Sequence, residues 1–195
     1  MSNYLKGIFE DLEPEEKIIL YALGALNNTP LNSKIKLHKL LFLVSNVFPQ
    51  LNELLEFEEH FLGPYSEKIN YILDDLISLG LVEKKGSKYK LTEKGMEIYK
   101  RLKPKPGLKE VLEDFKEFIH DLTDDEILAF IYVSYPKYTK ESIKWDELKK
   151  QRVDLAISLL KKQKISFGKA AQIAGLSPME FEELLLKRGI KWRGI

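Results

Sequence analysis

The chain has 195 residues, of which 44% are hydrophobic and 31% are charged, and its formal net charge at pH 7 is +1. This composition is ordinary for a globular protein and excludes a disordered or supercharged chain. The chain contains no cysteine, which excludes disulfide frameworks, cysteine-ligated zinc, iron–sulfur clusters and thiol nucleophiles.

The N-terminal segment carries Lys6, Glu10 and Asp11 and therefore does not have the uninterrupted apolar stretch of a signal peptide. No apolar run approaches the roughly 20 residues that span a membrane. We therefore expect a cytoplasmic protein with no membrane partner.

Charge is distributed unevenly along the chain. From Asp146 onward there are 11 basic and 6 acidic residues, against 20 and 24 before it. A basic C-terminal segment on an acidic body suits a polyanionic partner at that end, although a solvated basic face would have the same composition.

In chain order, the first two predicted elements are helices. Pro14 with its neighbouring glutamates begins one helix, which ends at 27–30. Ser33 is the predicted N-cap of the second helix, which stops before Pro49. Three lysines of the second helix are expected to lie away from most of its apolar stripe: Lys34, Lys36 and Lys39.

A third helix and a β-hairpin are predicted next. The helix covers 66–79, and two short β-capable runs, 81–85 and 88–91, flank the turn Gly86-Ser87. A further helix follows over 92–102. The order of helix, helix, helix, hairpin and helix predicts a winged helix-turn-helix, in which the hairpin is the wing.

The segment 103–107 contains two prolines and a glycine and is predicted to be a linker. An amphipathic helix is predicted over 108–122, and Thr123 with Glu126 has the spacing of a capping box for a short apolar helix. A longer helix covers 143–162.

These elements divide the chain into three predicted parts. Residues 1–102 form the winged helix-turn-helix domain, 103–142 a linker with packing helices, and 143–195 a C-terminal helix-turn-helix module. Within the middle part, 136–142 is predicted to be a loop.

The terminal stretch 166–184 has the pattern of a second helix-turn-helix. Ala170 and Ala171 are small where two helices approach each other, Gly175 permits a positive φ in the turn, and Ser177 can cap the second helix. An antiparallel helical hairpin is the alternative, because it requires only the apolar spacing.

The wing supplies the first set of predicted DNA contacts. A hairpin of this kind can lie along the phosphate backbone of DNA, but lysines also protect an exposed sheet edge against aggregation, and the sequence favours neither interpretation. The lysines concerned are Lys84, Lys85, Lys88 and Lys90.

The exposed side of the third helix supplies the second set, which consists of Lys68, Asn70 and Tyr71. Asn70 is suited to adenine, and Lys68 to phosphate or guanine. Asp74 and Asp75 on the same side indicate that only the first turns approach DNA.

The C-terminal module supplies a third set. Three carboxylates of its second helix would repel phosphates and are instead predicted to dock a protein partner: Glu180, Glu182 and Glu183. The basic residues around them are predicted to grip phosphate without reading sequence. They are Lys169, Lys187, Arg188, Lys191 and Arg193.

The sequence shows three resemblances to known families. The run 36–43, with its Lys-Leu-His-Lys-Leu-Leu pattern, and the run 60–66, with its Gly-Pro, resemble the Panacea-type antitoxin domain. The wing and 91–95 resemble archaeal winged-helix regulators. The stretch 164–190 is similar to a family of small uncharacterised prokaryotic helix-turn-helix proteins, often described as antitoxins. These resemblances imply regulation, with a toxin–antitoxin operon as one setting.

Enzymatic interpretations find little support. His38, His60 and His120 are widely separated, and none lies beside a second histidine or a glycine-rich nucleophile turn. Glu58, Glu59 and His60 are neighbours on an extended segment, so they would point to alternating faces rather than hold a metal. We therefore expect no enzyme, no cofactor and no metal.

The predicted fold class is mainly α, with a winged helix-turn-helix and a small hairpin followed by a helical region that ends in a second helix-turn-helix. The predicted function is a DNA-binding transcriptional regulator of double-stranded DNA. We expect a homodimer, for which the helix 108–122 is a candidate interface. The alternative is a protein-binding antitoxin or adaptor that docks a cognate toxin or another protein through its C-terminal module.

Overall fold

The computed structural model describes residues 2–192, which fall into two compact units. The first unit takes in the residues up to Glu58 together with Pro64–Asp121. The second unit takes in Glu59–Gly63 and the residues from Leu122 onward.

The first unit consists of helices and one antiparallel hairpin. In chain order its elements are α1 (Asn3–Asp11), α2 (Pro14–Asn28), α3 (Lys34–Val47), α4 (Gln50–Leu55), α5 (Glu67–Ser78), β1 (Val82–Lys85), β2 (Lys88–Leu91), α6 (Glu93–Tyr99) and α7 (Leu108–His120). This order confirms the predicted winged helix-turn-helix, with α5 as the third helix and β1–β2 as the wing.

Two short helices of this unit, α1 and α4, are not predicted by the sequence. Only Leu5 is buried in α1, and only Leu51 and Leu55 are buried in α4. With so few buried positions, neither helix shows a repeated apolar spacing that could be recognised in the sequence. The helix after the wing also ends at Tyr99 rather than at residue 102, where we predicted its end.

The predicted N-cap Ser33 is confirmed, and Ser66, which the sequence predicts only as the first residue of its helix, is an N-cap as well. The Ser33 hydroxyl accepts a hydrogen bond from the backbone N–H of Lys36 at 3.0 Å, and the Ser66 hydroxyl accepts one from Ile69 at 3.3 Å. Each hydroxyl satisfies a backbone donor that the first turn of a helix cannot satisfy itself. These caps therefore set where α3 and α5 begin.

Helix α2 is the centre of the first unit. It contacts α3, α5, α6, α7 and β2, and its Ile19, Leu20 and Leu23 are fully buried. Near its C-terminal end the backbone leaves helical geometry, and Leu26 and Asn27 both have positive φ. The regular helix therefore stops before Ala25, within the apolar pattern that the sequence presents.

The prediction that the lysines of the second helix avoid its apolar side is wrong for Lys36 and Lys39. Both side chains are buried because α3 is enclosed on all sides from Lys36 to Ser45. The Lys36 ammonium donates to the carbonyl oxygens of Ile119 at 3.2 Å and His120 at 2.9 Å, and the Lys39 ammonium donates to that of Pro64 at 2.7 Å. Backbone carbonyls thus take the place of water around these charges.

Helix α7 packs against α2 and α3, so the first unit extends to Asp121 rather than to the predicted boundary at 102. The apolar stripe that we predicted as a dimer interface buries Leu112 and Ile119 inside this unit. The same stripe contains Lys116, which is completely buried. These three positions of the stripe are consequently covered by their own unit.

The second unit is helical. In chain order its elements are α8 (Asp124–Ser134), the 3-10 helix Pro136–Thr139, α9 (Ile143–Lys161), α10 (Phe167–Ala174) and α11 (Pro178–Lys187). The 3-10 helix occupies part of the segment predicted to be a loop. Helix α9 contacts α8 and α10, and α10 contacts α11. The buried Phe181 and Leu185 of α11 face this core.

The predicted caps and turn of the second unit are also present. Thr123 and Glu126 exchange backbone–side-chain hydrogen bonds as a capping box before α8. Between α10 and α11, Gly175 has a φ of +74° and Ser177 caps α11. Helix α10, this turn and α11 form the predicted C-terminal helix-turn-helix.

Candidate nucleic-acid interface

The wing is a tight antiparallel hairpin whose tip is basic. Its strands pair in register from Val82 with Leu91 to Lys85 with Lys88, which leaves a two-residue turn that contains Gly86 with a φ of +61°. Three lysine side chains around this turn are exposed to solvent: Lys84, Lys85 and Lys88.

Glu83 lies among the wing lysines and partly neutralises them. Its carboxylate lies 2.9 Å from the Lys90 ammonium and 3.2 Å from that of Lys85. Hydrogen bonds from Lys90 and then Lys85 lower the pKa of Glu83. Among the described residues no carboxylate pairs with Lys84, whose ammonium lies 5.7 Å from the centre of the Tyr89 ring. Of the four predicted wing contacts, Lys84 and Lys88 are therefore the least compensated.

The base of the wing is anchored to the end of α2. Leu31 and Tyr89 exchange two backbone hydrogen bonds of 3.0 and 2.9 Å. The Asn28 side chain accepts a hydrogen bond from the Leu91 N–H at 2.8 Å and donates one to the Leu91 carbonyl at 3.0 Å. The amide of Asn28 thus pairs with β2 as a neighbouring strand would, and it holds the wing on the helical core.

Lys68, which we predicted to contact DNA, lies between two carboxylates. Its ammonium is 2.8 Å from Glu15 and 3.2 Å from Glu56. The hydrogen bond with Glu15 is the main cause of its raised pKa. The charge of Lys68 is therefore compensated within the first unit.

Asn70 of α5 is also engaged. Its amide nitrogen donates to the Tyr65 hydroxyl, and its amide oxygen lies 3.2 Å from Nε2 of His38. The other ring nitrogen of His38 accepts a hydrogen bond from the Ser66 N–H at 3.3 Å, so Nε2 is the donor to Asn70. Adenine recognition by Asn70 would require it to give up both bonds.

The exposed face of α5 is mainly acidic. Tyr71 has 65% of its surface exposed, and its hydrogen bond with Glu67 raises the pKa of its hydroxyl. Glu67, Asp74 and Asp75 are exposed on the same helix. This face would repel a phosphate backbone, whereas Lys84 and Lys88 of the wing are exposed cations.

The predicted basic residues of the second unit differ in the groups that surround their charges. The Lys169 ammonium is 3.0 Å from the Gln172 side-chain oxygen and 5.7 Å from the centre of the Phe130 ring, and burial lowers its pKa. The Arg188 guanidinium donates to Asp154 at 2.6 Å.

Lys187 and Lys191 are exposed. Arg193 lies outside the described residues. The Lys187 ammonium lies 4.0 Å from the Glu183 carboxylate, and Arg188 is paired with Asp154. Among the described residues, Lys191 is therefore the predicted cation of this module that is both exposed and without a carboxylate partner.

The three predicted partner-binding carboxylates on α11 have different roles. Glu180 accepts a hydrogen bond from the Ser177 N–H at 2.8 Å, and hydrogen bonding with Ser177 lowers its pKa. It therefore caps its own helix. Glu182 and Glu183 are exposed, and the Glu183 carboxylate lies 4.0 Å from the Lys187 ammonium.

The sequence reasoning missed two groups of charged residues. One is the set of buried lysines Lys36, Lys39 and Lys116; the position of Lys116 between Leu112 and Ile119 on one helical face was the available signal. The other group lies in and before the predicted linker and lines a surface trough, which is described below.

Residues 2–192 contain neither a metal-binding cluster nor a membrane-spanning helix. In that range no group of three or more histidine or acidic side chains is placed to hold a metal ion. No helix there has both the length and the apolar character needed to cross a membrane.

Comparison with known proteins gave two family matches. Residues 65–109 match a winged helix-turn-helix family, and residues 130–194 match the uncharacterised protein family UPF0175. No curated protein and no solved structure matches the chain. The first match covers α5, the wing and α6, and the second runs from the end of α8 through α11.

Neither match tests the predicted resemblance to the Panacea-type antitoxin domain, which remains a prediction. The chain thus contains a winged helix-turn-helix segment, followed by a C-terminal segment similar to UPF0175.

Proposed function

We propose that this protein is a DNA-binding transcriptional regulator that contacts the phosphate backbone of double-stranded DNA through its wing. The observation that carries the proposal is the cluster of exposed lysines at the wing tip, within the segment that matches a winged helix-turn-helix family. The bonds of Lys68 and Asn70 favour structural roles, so we do not include these residues in the proposed interface.

The wing lysines would supply affinity through phosphate contacts and little sequence information. Binding of this kind releases counterions from DNA and weakens steeply as salt rises. Tyr71 is the α5 side chain that we propose for a further contact, because it is exposed and, unlike Glu67, Asp74 and Asp75, carries no negative charge. We also propose a homodimer, since paired half-sites multiply a modest affinity.

The test is a titration of labelled duplex DNA from the region upstream of the gene, repeated over a series of salt concentrations. The double variant Lys84→Glu with Lys85→Glu should weaken binding at least tenfold and reduce the slope of log K against log salt by about two. Lys187→Glu with Arg188→Glu changes charge equally and is the matched control, for which we expect a smaller loss.

Two results would contradict this proposal. Absence of any salt-sensitive binding would reject the regulator function. A larger loss in the Lys187 and Arg188 variant would move the main DNA contact to the C-terminal module.

A second candidate function is protein docking through α11. Met179 and Leu186 have 70% and 69% of their surface exposed, and they lie at helical spacing with Glu182 and Glu183. An exposed face with apolar ends and an acidic centre suits a protein surface with a complementary basic rim better than it suits DNA.

We propose a cognate toxin or another regulatory protein as the partner of this face. The test is co-expression with the product of the adjacent gene, followed by co-purification. Leu186→Asp should abolish complex formation while leaving the DNA titration unchanged. If that variant still forms the complex, α11 is not the docking face.

A further inference from the structure

Two adjoining clefts on the first unit form one open trough. They have volumes of about 380 and 780 Å³, and both are lined by Lys17, Tyr21 and Lys103. The smaller cleft, which we call the apolar end, has mainly apolar walls. These include Ile18, Phe48, Leu51, Leu54, Pro104 and Leu108.

The larger cleft, which we call the cationic end, has a different lining. Its one carboxylate is that of Glu10, which lies 3.8 Å from the Lys6 ammonium. The remaining charged side chains along this cleft are all basic. They are Lys17, Lys100, Arg101 and Lys103.

Lys6 is paired with Glu10, but three other cations around the trough are uncompensated. Among residues 2–192, no carboxylate pairs with Lys17, Lys103 or Lys105, whereas Glu83 pairs with two lysines of the wing. Lys103 and Lys105 are exposed at the rim, and Lys17 is half-buried. Uncompensated cations beside an apolar wall attract a ligand that carries both negative charge and an apolar body.

We propose that this trough binds a small amphipathic carboxylate, that is, an acyl or aryl acid. Its apolar body would occupy the apolar end, whose volume lies within the range of small-molecule sites. Its carboxylate would lie where the two clefts join, because Lys17 and Lys103 line both of them. Duplex DNA is disfavoured as the occupant because it has no apolar surface to cover these walls.

The site is coupled to α6, the helix that directly follows the wing. Tyr21 lines both clefts and contacts Tyr99 of α6 edge to face, with ring centres 6.4 Å apart. A bound acid would therefore contact Tyr21, a residue at the packing interface between α2 and α6. The binding proposal itself does not depend on DNA binding.

The test uses decanoate as the probe and measures its displacement of the fluorescent aromatic sulfonate 1-anilinonaphthalene-8-sulfonate from the full chain. Decanol and decyltrimethylammonium have the same apolar length with no charge and with positive charge. We expect decanoate to bind at least tenfold more tightly than either. Calorimetric titration should give a negative heat-capacity change, which reports burial of the apolar body.

The variant Lys103→Glu with Lys105→Glu reverses two exposed charges at the rim and should weaken decanoate binding at least tenfold. Lys94→Glu with Lys109→Glu is the matched control, since both lysines are exposed and neither lines the trough. Far-UV circular dichroism of each variant checks that the fold is retained.

Three outcomes would overturn the proposal. Equal affinity for decanoate and decanol would indicate apolar adhesion without a carboxylate site. Loss of DNA affinity in the Lys103 and Lys105 variant, with no decanoate binding in the unaltered protein, would make the trough a nucleic-acid surface. A dimer that this variant converts to monomers in sedimentation, again without decanoate binding, would make it an interface between copies.

Discussion

The Nζ atom of Lys116 in α7 lies 2.6 Å from the backbone carbonyl oxygen of Leu23 in α2, and 2.9 Å from that of Ala25. These carbonyls lie where α2 leaves helical geometry. The ammonium donates to both of them and links the two helices. Because the side chain is fully buried, desolvation lowers the pKa of Lys116 to about 7.

This lowered pKa predicts a specific pH dependence. An unfolded chain holds the Lys116 proton up to a pH near 10.5, whereas the folded chain releases it near pH 7. Between these values the unfolded state binds more protons, so the free energy of unfolding should rise with pH by up to about 1.4 kcal/mol per pH unit. Below pH 7 both states are protonated and the cost of burying the charge is fully present.

The measurement is urea unfolding followed by far-UV circular dichroism between pH 6.5 and 9.5. Lys116→Met should remove this rise, and the exposed Lys109→Met on the same helix should keep it. If the free energies of unfolding of the unaltered protein and of Lys116→Met change with pH in parallel, Lys116 does not titrate in this range.

Gly175→Ala should destabilise the second unit. The residue has a φ of +74°, and an added Cβ would collide with the Arg152 guanidinium, which donates to the Ile173 carbonyl at 2.7 Å. We expect the free energy of unfolding to fall by about 1–3 kcal/mol. Gly168→Ala is the control, because Gly168 is helical and has open space around it.

Tryptophan fluorescence can follow this unfolding, since both tryptophans of the chain belong to the second unit. Equal stabilities of the Gly175→Ala and Gly168→Ala variants would show that the turn tolerates a side chain.

Glu126→Gln should weaken the contact between α8 and α9. The Glu126 carboxylate lies 2.8 Å from the Lys162 ammonium and accepts a hydrogen bond from the Ser158 hydroxyl at 2.6 Å. Burial alone would raise the pKa of Glu126, but the hydrogen bonds from Lys162, Ser158 and Thr123 outweigh it and lower the pKa. We expect the substitution to lower the free energy of unfolding by about 2 kcal/mol at pH 7. This value is reduced to allow for solvent screening, because Lys162 is partly exposed.

The lowered pKa also determines the direction of the pH effect. The stabilisation by Glu126 is present above its unfolded value near 4.5 and is lost as pH falls through the lower folded value. The difference between the unaltered protein and Glu126→Gln, measured by tryptophan fluorescence in urea, should therefore shrink in acid. Glu141→Gln, at an exposed position, should have the same free energy of unfolding as the unaltered protein at every pH. If the difference between the unaltered protein and Glu126→Gln did not shrink at low pH, the stabilising role of the Glu126 carboxylate would be contradicted.

Asn28→Ala should loosen the base of the wing. The substitution removes both side-chain bonds to Leu91 and places alanine at a φ of +60°. We expect the free energy of unfolding to fall by about 1–3 kcal/mol. Amide hydrogen exchange of Leu91 and its neighbours should accelerate, while Asn52→Ala, on the exposed side of α4, should leave it unchanged. Unchanged exchange in Asn28→Ala would mean that the Leu31 bridge alone holds the wing.

Local chemistry in the sequence was enough to predict most element boundaries and the order of elements. Ser33, Ser66 and Ser177 cap helices through contacts only three residues away, and Gly86 and Gly175 provide turns that depend on their own backbone freedom. These signals depend only on residues close together in the sequence, so they can be recognised without knowledge of the fold. The winged helix-turn-helix and the C-terminal helix-turn-helix both follow from them.

The roles of the charged residues were decided by tertiary structure alone. The sequence presents Lys68 and Lys84 as equivalent cations, but only the fold places Glu15 and Glu56 against Lys68 while leaving Lys84 exposed. It also buries Lys116 against carbonyls more than 90 positions away in the chain. A charge acts through what surrounds it in space, and for these residues the surroundings come from distant segments that no local pattern records.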